Sequence, residues 1–190
     1  MLRFQVRGGQ VADRLRADAK ANQDLVLAAA RRAFARDGAD ASLREIAKEA
    51  GVGIGTLYRR FPTREDLVWA VYSGEVDRIC EEAQAPGVRP RVWMEDFLDF
   101  LAAKRAMADA LKVVLAGDEE RRLAIRTRIT DALGSLLDAA ADEGTVRGDV
   151  AALDVLMALG GIALIASEPG QRDQAGRLLD LLMDGLRPSR

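Results

Sequence analysis

The residues able to do chemistry in this chain crowd into one stretch, Ser42 to Leu67, SLREIAKEAGVGIGTLYRRFPTREDL. Within it Thr56, Tyr58, Arg59 and Arg60 supply hydroxyl and guanidinium donors, which match phosphate oxygens and the edges of guanine. Gly53 and Gly55 keep side-chain bulk away from the helix start just before them, where backbone amides and the positive end of the dipole can approach a phosphate. The glycines at 51, 53 and 55 do not form a nucleotide-binding loop, since such a loop follows a strand and Tyr58 stands where its last glycine belongs. Other chemistries lack their residues. The chain contains no histidine, so Ser-His-Asp and Cys-His activation and every His-dependent metal site are excluded. No metal, no cofactor and no enzymatic activity are expected, and Asp96 and Asp99 read as a solvated helix face.

The elements that must hold these donors can be read from caps and spacing. Ser42 followed by Glu45 is a helix start in which the hydroxyl accepts from the Glu45 amide. The helix runs to Ala50, and Gly51 supplies the left-handed turn. A second short helix runs from Ile54 or Gly55 to Phe61, where Pro62 ends it. Ile46, Ala47 and Ala50 face inward from the first helix, Val52 fills the turn, and Leu57 and Phe61, four apart, form the buried stripe of the second. Two short helices joined by a glycine-containing turn describe a helix-turn-helix, whose second helix enters the DNA major groove. It is preceded by a helix over 22–37, with Leu25, Val26, Ala29, Ala33 and Phe34 at helical spacing and Gly38 as its stop. Thr63 with Asp66 starts another helix, which reaches Gln84.

The rest of the chain reads as helix as well. Pro86-Gly87 and Pro90 mark a linker, followed by helical stretches over 91–115, with a break near 104–107, and over 119–142, 151–166 and 172–186. No strand pattern occurs, so the class is all-α with about nine helices. Residues 1–65 hold 13 Lys and Arg against 8 Asp and Glu, whereas the remainder is net acidic. This asymmetry suits a nucleic-acid-facing segment joined to a body that avoids polyanions. The expected organisation is a basic arm over 1–20, a DNA-binding domain over 21–82 and a helical domain over 83–190. The longest apolar run, Val155 to Ala166, is short of the roughly 20 residues a bilayer demands. The N-terminus lacks the apolar centre of an export signal, and Cys80, the single cysteine, has no partner for an internal disulfide. A cytoplasmic protein with no membrane association is expected.

From Leu25 to Tyr72 the chain resembles the N-terminal domain of the tetracycline-repressor (TetR) family of bacterial transcriptional regulators. The resemblance is carried by Ala29-Ala30 and Phe34, by Ile46-Ala47 and Ala50-Gly51-Val52, by Thr56-Leu57-Tyr58 and Phe61, and by a basic residue with Leu67 in the fourth helix. It implies that Thr56 and Tyr58 bind phosphates, that Arg64 clamps the DNA backbone, and that Ile54, Gly55 and Arg59 lie nearest the bases. Arg44 falls at a position that reads a base in relatives, and Ser42 and Gly53 cap the two reading helices. Gly53 stands where a capping serine is frequent, and Gly55 has no side chain to read with, which shifts specificity to Arg44, Arg59 and Arg60.

The acidic remainder suits the family's ligand-binding and dimerisation domain. The helix over 151–166 is apolar nearly all round, so more than one neighbour must cover it. Val155, Leu159 and Ile162, with Leu178 and Leu182 of the last helix, are the expected dimer interface. Trp93, Phe97, Leu101, Met107, Leu111, Ile129 and Leu133 are the candidate lining of an inducer pocket for a largely apolar or aromatic ligand, with Thr130 and Ser135 as hydrogen-bonding groups. Cys80 reads as a small buried hydrophobe. The expectation is a homodimeric regulator of operator DNA, a repressor released by a small-molecule inducer. The competing reading is an all-helical small-molecule-binding protein or enzyme that uses the C-terminal cavity.

Overall fold

The first helix is longer than its apolar spacing suggests. In the computed structural model, which describes the backbone of residues 6–165 and 171–188 and the side chains of 19–38, 40–165 and 171–188, α1 spans Val6–Asp37. The arm expected over 1–20 is therefore helical from Val6. Gly8 and Gly9 each cost about 1 kcal/mol relative to alanine, but the Arg, Ala, Leu and Gln residues around them are strong helix formers. The first five residues, and the break expected at Pro169-Gly170, lie outside the described residues.

The chain divides into two compact units. The first comprises the segment up to Val71 together with Ala106–Val114. It contains α1, a 3-10 turn at Gly38–Asp40, α2 (Leu43–Glu49), α3 (Ile54–Arg60), the start of α4 (Arg64–Ala83) and α6 (Ala108–Val114). Ala29, Ala30, Ala33 and Phe34 of α1 are buried with Ile46, Ala47, Leu57, Leu67 and Val68. The small alanines let α2 approach α1 closely, while Phe34, Leu57 and Leu67 provide the buried area, roughly 1.5–3 kcal/mol for each large side chain. Gly38 ends α1 with φ +57°, and a Cβ there would stand 3.2 Å from the Ala106 carbonyl oxygen, so conformation and space both call for glycine.

The second unit comprises Tyr72–Arg105 and the segment from Leu115 onward. It holds the remainder of α4, most of α5 (Pro90–Ala106), α7 (Glu119–Asp142), α8 (Ala152–Ile165) and α9 (Arg172–Gly185). The break expected near 104–107 is present at Met107, between α5 and α6. Among the described residues every regular element is a helix. Aromatic rings stack through the core, Trp93 on Phe97 at 5.1 Å, Phe97 by Phe100 at 5.6 Å and Phe100 on Tyr72 at 6.1 Å. The Trp93 indole donates to the Ile79 carbonyl at 2.8 Å, which satisfies its buried N–H. Cys80 is buried, and that burial pushes its thiol up, as suits a packing residue.

Two expectations for this region need correction. Val155, Leu159 and Ile162 are 2%, 0% and 8% exposed within the single chain, so they cannot be offered to a second copy. Leu178 and Leu182 are half-buried. The apolar side chains left in water are Leu153, Met157 and Leu164 of α8 and Leu181 of α9, 45%, 62%, 70% and 66% exposed. An all-round apolar helix carries no periodic signal for which stripe faces inward, hence the inversion. The candidate pocket lining does not stay together either. Met107 and Leu111 belong to the first unit, where α6 packs on the 3-10 turn. Trp93, Phe97, Ile129 and Leu133 are packed core of the second unit and Leu101 is half-buried. The Thr130 and Ser135 hydroxyls donate to carbonyls one turn back, Arg126 and Asp131. A cavity of about 580 Å³ opens elsewhere in this unit, among Pro86, Val88, Leu136, Ala140, Val146 and Met183.

Candidate nucleic-acid interface

The reading elements are shaped by local hydrogen bonds. The Glu45 amide donates to Ser42 Oγ at 3.5 Å and starts α2. At the other end Gly51 takes φ +69°, its amide donates to the Lys48 carbonyl at 3.1 Å, and the Val52 amide donates to Ala47 at 3.0 Å. This is a Schellman stop, open to glycine because a Cβ penalises the left-handed conformation. It turns the chain within three residues, so that α3 starts at Ile54 with Gly53 as an N-cap that has no side-chain bond. The next start is firm. Thr63 Oγ1 and the Thr63 amide both donate to Asp66 Oδ2, at 2.8 and 3.0 Å, and the Asp66 amide donates back to Thr63 Oγ1 at 3.0 Å.

Helix α3 then presents two faces. Leu57 is buried, and Phe61, its C-cap, is buried with it. Ile54, Gly55, Tyr58, Arg59 and Arg60 are exposed, and Thr56 is half-buried. A Cβ at Gly55 would meet nothing within 4 Å, so this glycine leaves open surface rather than relieving a clash. Arg44 is exposed at the start of α2.

The arginines of the stretch divide by what already holds them. Arg60 folds back on α1, its Nε and Nη2 donating to Gln23 Oε1 at 3.0 and 2.7 Å across a cleft of about 360 Å³ between the two helices. Arg64 donates through Nη1 to the Ala41 carbonyl at 2.7 Å, and its guanidinium lies 5.5 Å from the centre of the Phe34 ring. It is half-buried and braces the core. Arg59 and Arg44 are the exposed arginines on α3 and α2 with no such tether. On the far side of α2 an ion pair between Arg32 and Glu49, 2.6 Å, ties it to α1 and contributes at most about 1 kcal/mol at the surface. Gln23 was not singled out by its type, although it lies three residues before Val26 and seven before Ala30, on the stripe that α1 turns inward.

Comparison with known proteins agrees with this geometry along the whole chain. Residues 26–71 match the family described as "Bacterial regulatory proteins, tetR family", and residues 85–188 match "Transcriptional regulator SbtR-like, C-terminal domain". A solved TetR transcriptional regulator from Streptomyces coelicolor is 48% identical, with 88% of this chain and 99% of that one covered and a TM-score of 0.80. A TetR transcription regulatory protein from Mycobacterium vanbaalenii is 34% identical, covering 92% and 99%, with a TM-score of 0.68. A helix-turn-helix transcriptional regulator of Staphylococcus aureus is 39% identical over 64 residues, and the match spans only 35% of that relative's length. With both halves matched and relatives covered nearly end to end, the chain belongs to the TetR family of bacterial transcriptional regulators.

Proposed function

We propose that this protein is a homodimeric, DNA-binding transcriptional repressor of the cytoplasm, released from its operator by a small, largely apolar ligand. The observation that carries the reading is the exposed face of α3, where Tyr58, Arg59, Ile54 and the bare Gly55 surface stand beside Arg44 while Leu57 anchors the opposite face. Thr56 and Tyr58 bind phosphates, and Arg59 and Arg44 reach base edges, where a guanidinium makes bidentate contact with guanine. Arg60 supports α3 through Gln23, and Arg64 adds positive charge beside the backbone from its seat on Phe34. Residues 21–82 serve the DNA and 83–190 serve ligand and dimer, with the exposed side chains of α8 and α9 as the seam. A dimer reads two half-sites related by the operator dyad, about one helical turn apart or a multiple of it. Ligand binding favours a state of the dimer in which the two heads no longer match that spacing.

The test is a gel shift on the DNA flanking the gene, followed by binding across an operator library with Arg59→Ala. This variant is expected to cost about 1–3 kcal/mol on the cognate site and to relax preference at one base pair in each half-site, leaving non-specific affinity nearly intact. A uniform loss over all sequences would make Arg59 a backbone contact and move base reading to Arg44.

A further inference from the structure

We propose that Lys104 of α5 and Arg126 of α7, beside the Tyr72–Phe100 ring pair, form a receiving site for a small organic anion, a carboxylate on an apolar body. The inference rests on the ligand-responsive reading above and names the chemistry of the ligand. Both cations occupy core-facing positions. Lys104 follows Trp93, Phe97 and Phe100 at intervals of four, three and four, so it continues the buried stripe of α5. Arg126 precedes Ile129 and Leu133 by three and seven, so it heads the buried stripe of α7. The Lys104 ammonium lies 5.5 Å from the centre of the Tyr72 ring, itself stacked on Phe100.

Neither cation has a carboxylate. Among the described residues the side chains of Lys104 and Arg126 make no hydrogen bond or ion pair, whereas Arg78, Arg91, Arg122, Arg128, Arg147 and Arg172 of the same unit each hold an Asp or Glu. Burial, and then the charge of Arg126, hold the Lys104 ammonium below the usual lysine range. Two like charges, one of them partly stripped of water, form an unfavourable arrangement that an anion between them relieves. Arg126 is exposed and leaves a way in, and its planar fork suits the two oxygens of a carboxylate. Leu101, one turn before Lys104, and Ile125, beside Arg126, are both half-buried and give an apolar body a surface that bare solvent does not. Their presence favours an organic anion over an inorganic one.

The experiment titrates the full-length protein with octanoate and naphthoate, with octanol and naphthol as uncharged counterparts and sulfate as the bare anion, following thermal shift and tryptophan fluorescence. At least one carboxylate is expected to bind saturably and to raise the melting temperature, and to bind at least about tenfold more tightly than its alcohol and than sulfate. Lys104→Met and Arg126→Gln, checked for unchanged helicity by circular dichroism, should each weaken the carboxylate about tenfold and leave the alcohol unaffected. Equal affinity for acid and alcohol, no saturable binding of either carboxylate, indifference to both substitutions, or sulfate binding as tightly would overturn the proposal. A gel shift of the ligand-free protein keeps the two readings apart. Retarded DNA without carboxylate binding removes this site alone, and carboxylate binding without retarded DNA removes the regulator reading and leaves the site.

Discussion

At the scale of single residues, neighbouring basic and hydroxyl groups separate into those that hold the protein and those free to hold DNA. Tyr58 has its ring half in water and Arg64 has its guanidinium on Phe34 and the Ala41 carbonyl. Tyr58→Phe is therefore expected to leave the melting temperature unchanged while weakening operator binding by about 1 kcal/mol, one hydrogen bond to a phosphate. Arg64→Ala should instead destabilise the fold by roughly 1–3 kcal/mol, through the lost charged hydrogen bond and the lost ring contact, with any loss of DNA affinity superimposed. Parallel thermal melts and gel shifts separate the effects, and an Arg64→Ala protein as stable as wild type would return Arg64 to a purely DNA-facing role. Lys104 and Tyr72 make stability depend on alkaline pH in opposite directions. Burial raises the Tyr72 phenol from 10.0 to about 12, so the native state holds a proton the unfolded chain has lost, and stability present below pH 10 is lost between pH 10 and 12. Lys104, held below 10.5, costs stability at neutral pH and stops doing so as pH rises to the ordinary lysine range. Tyr72→Phe should flatten the fall between pH 10 and 12, and chemical denaturation across that range measures it.

At the scale of elements, the turn between α2 and α3 depends on one conformation. Gly51→Ala places a Cβ in the left-handed region, open space notwithstanding, and is expected to cost about 1–2 kcal/mol, or roughly 2–8 °C in melting temperature for a chain of this size. A melt unchanged within a degree would show that the turn relaxes to another geometry. This turn was legible in the sequence because the rule behind it is local. The serine cap, the glycine stop, the Thr63–Asp66 start and the break at Met107 each follow from a few adjacent residues. The exposed face of α3 was legible as well, since Leu57 and Phe61 leave only one stripe to bury. What could not be read depended on contacts far along the chain. Whether Arg60 points at DNA or at Gln23 is decided by a residue 37 positions away, and no spacing rule within α3 contains it. The inward face of α8 was hidden for the opposite reason. Its apolar residues lie all round, and only the packed neighbours select Val155, Leu159 and Ile162. The start of α1 was missed because two glycines interrupt an otherwise strong run of helix formers, and local punctuation was given more weight than summed propensity.

At the scale of the whole molecule, the second unit leaves a row of large apolar side chains in water while its own core is complete. Leu153, Met157, Leu164 and Leu181 are exposed although Leu159 and Leu179 beneath them are fully covered. Burying such side chains stabilises by about 25 cal/mol for each Å² removed from water, and a two-fold seam uses each of them twice. Met157→Glu or Leu181→Glu should therefore place a pair of like charges in the seam and give helical, folded monomers by light scattering at concentrations where wild type is dimeric. Leu159→Glu is the contrasting control. It puts a charge into the covered face of α8 and should unfold the second unit rather than merely divide the dimer, which circular dichroism distinguishes. DNA binding reports the same division independently. A monomer brings one reading head to the operator, so it releases about half as many counterions, and the slope of log affinity against log salt should fall to about half. A Met157→Glu protein that stays dimeric with an unchanged salt slope would place the seam elsewhere on the surface and leave this apolar row without a partner.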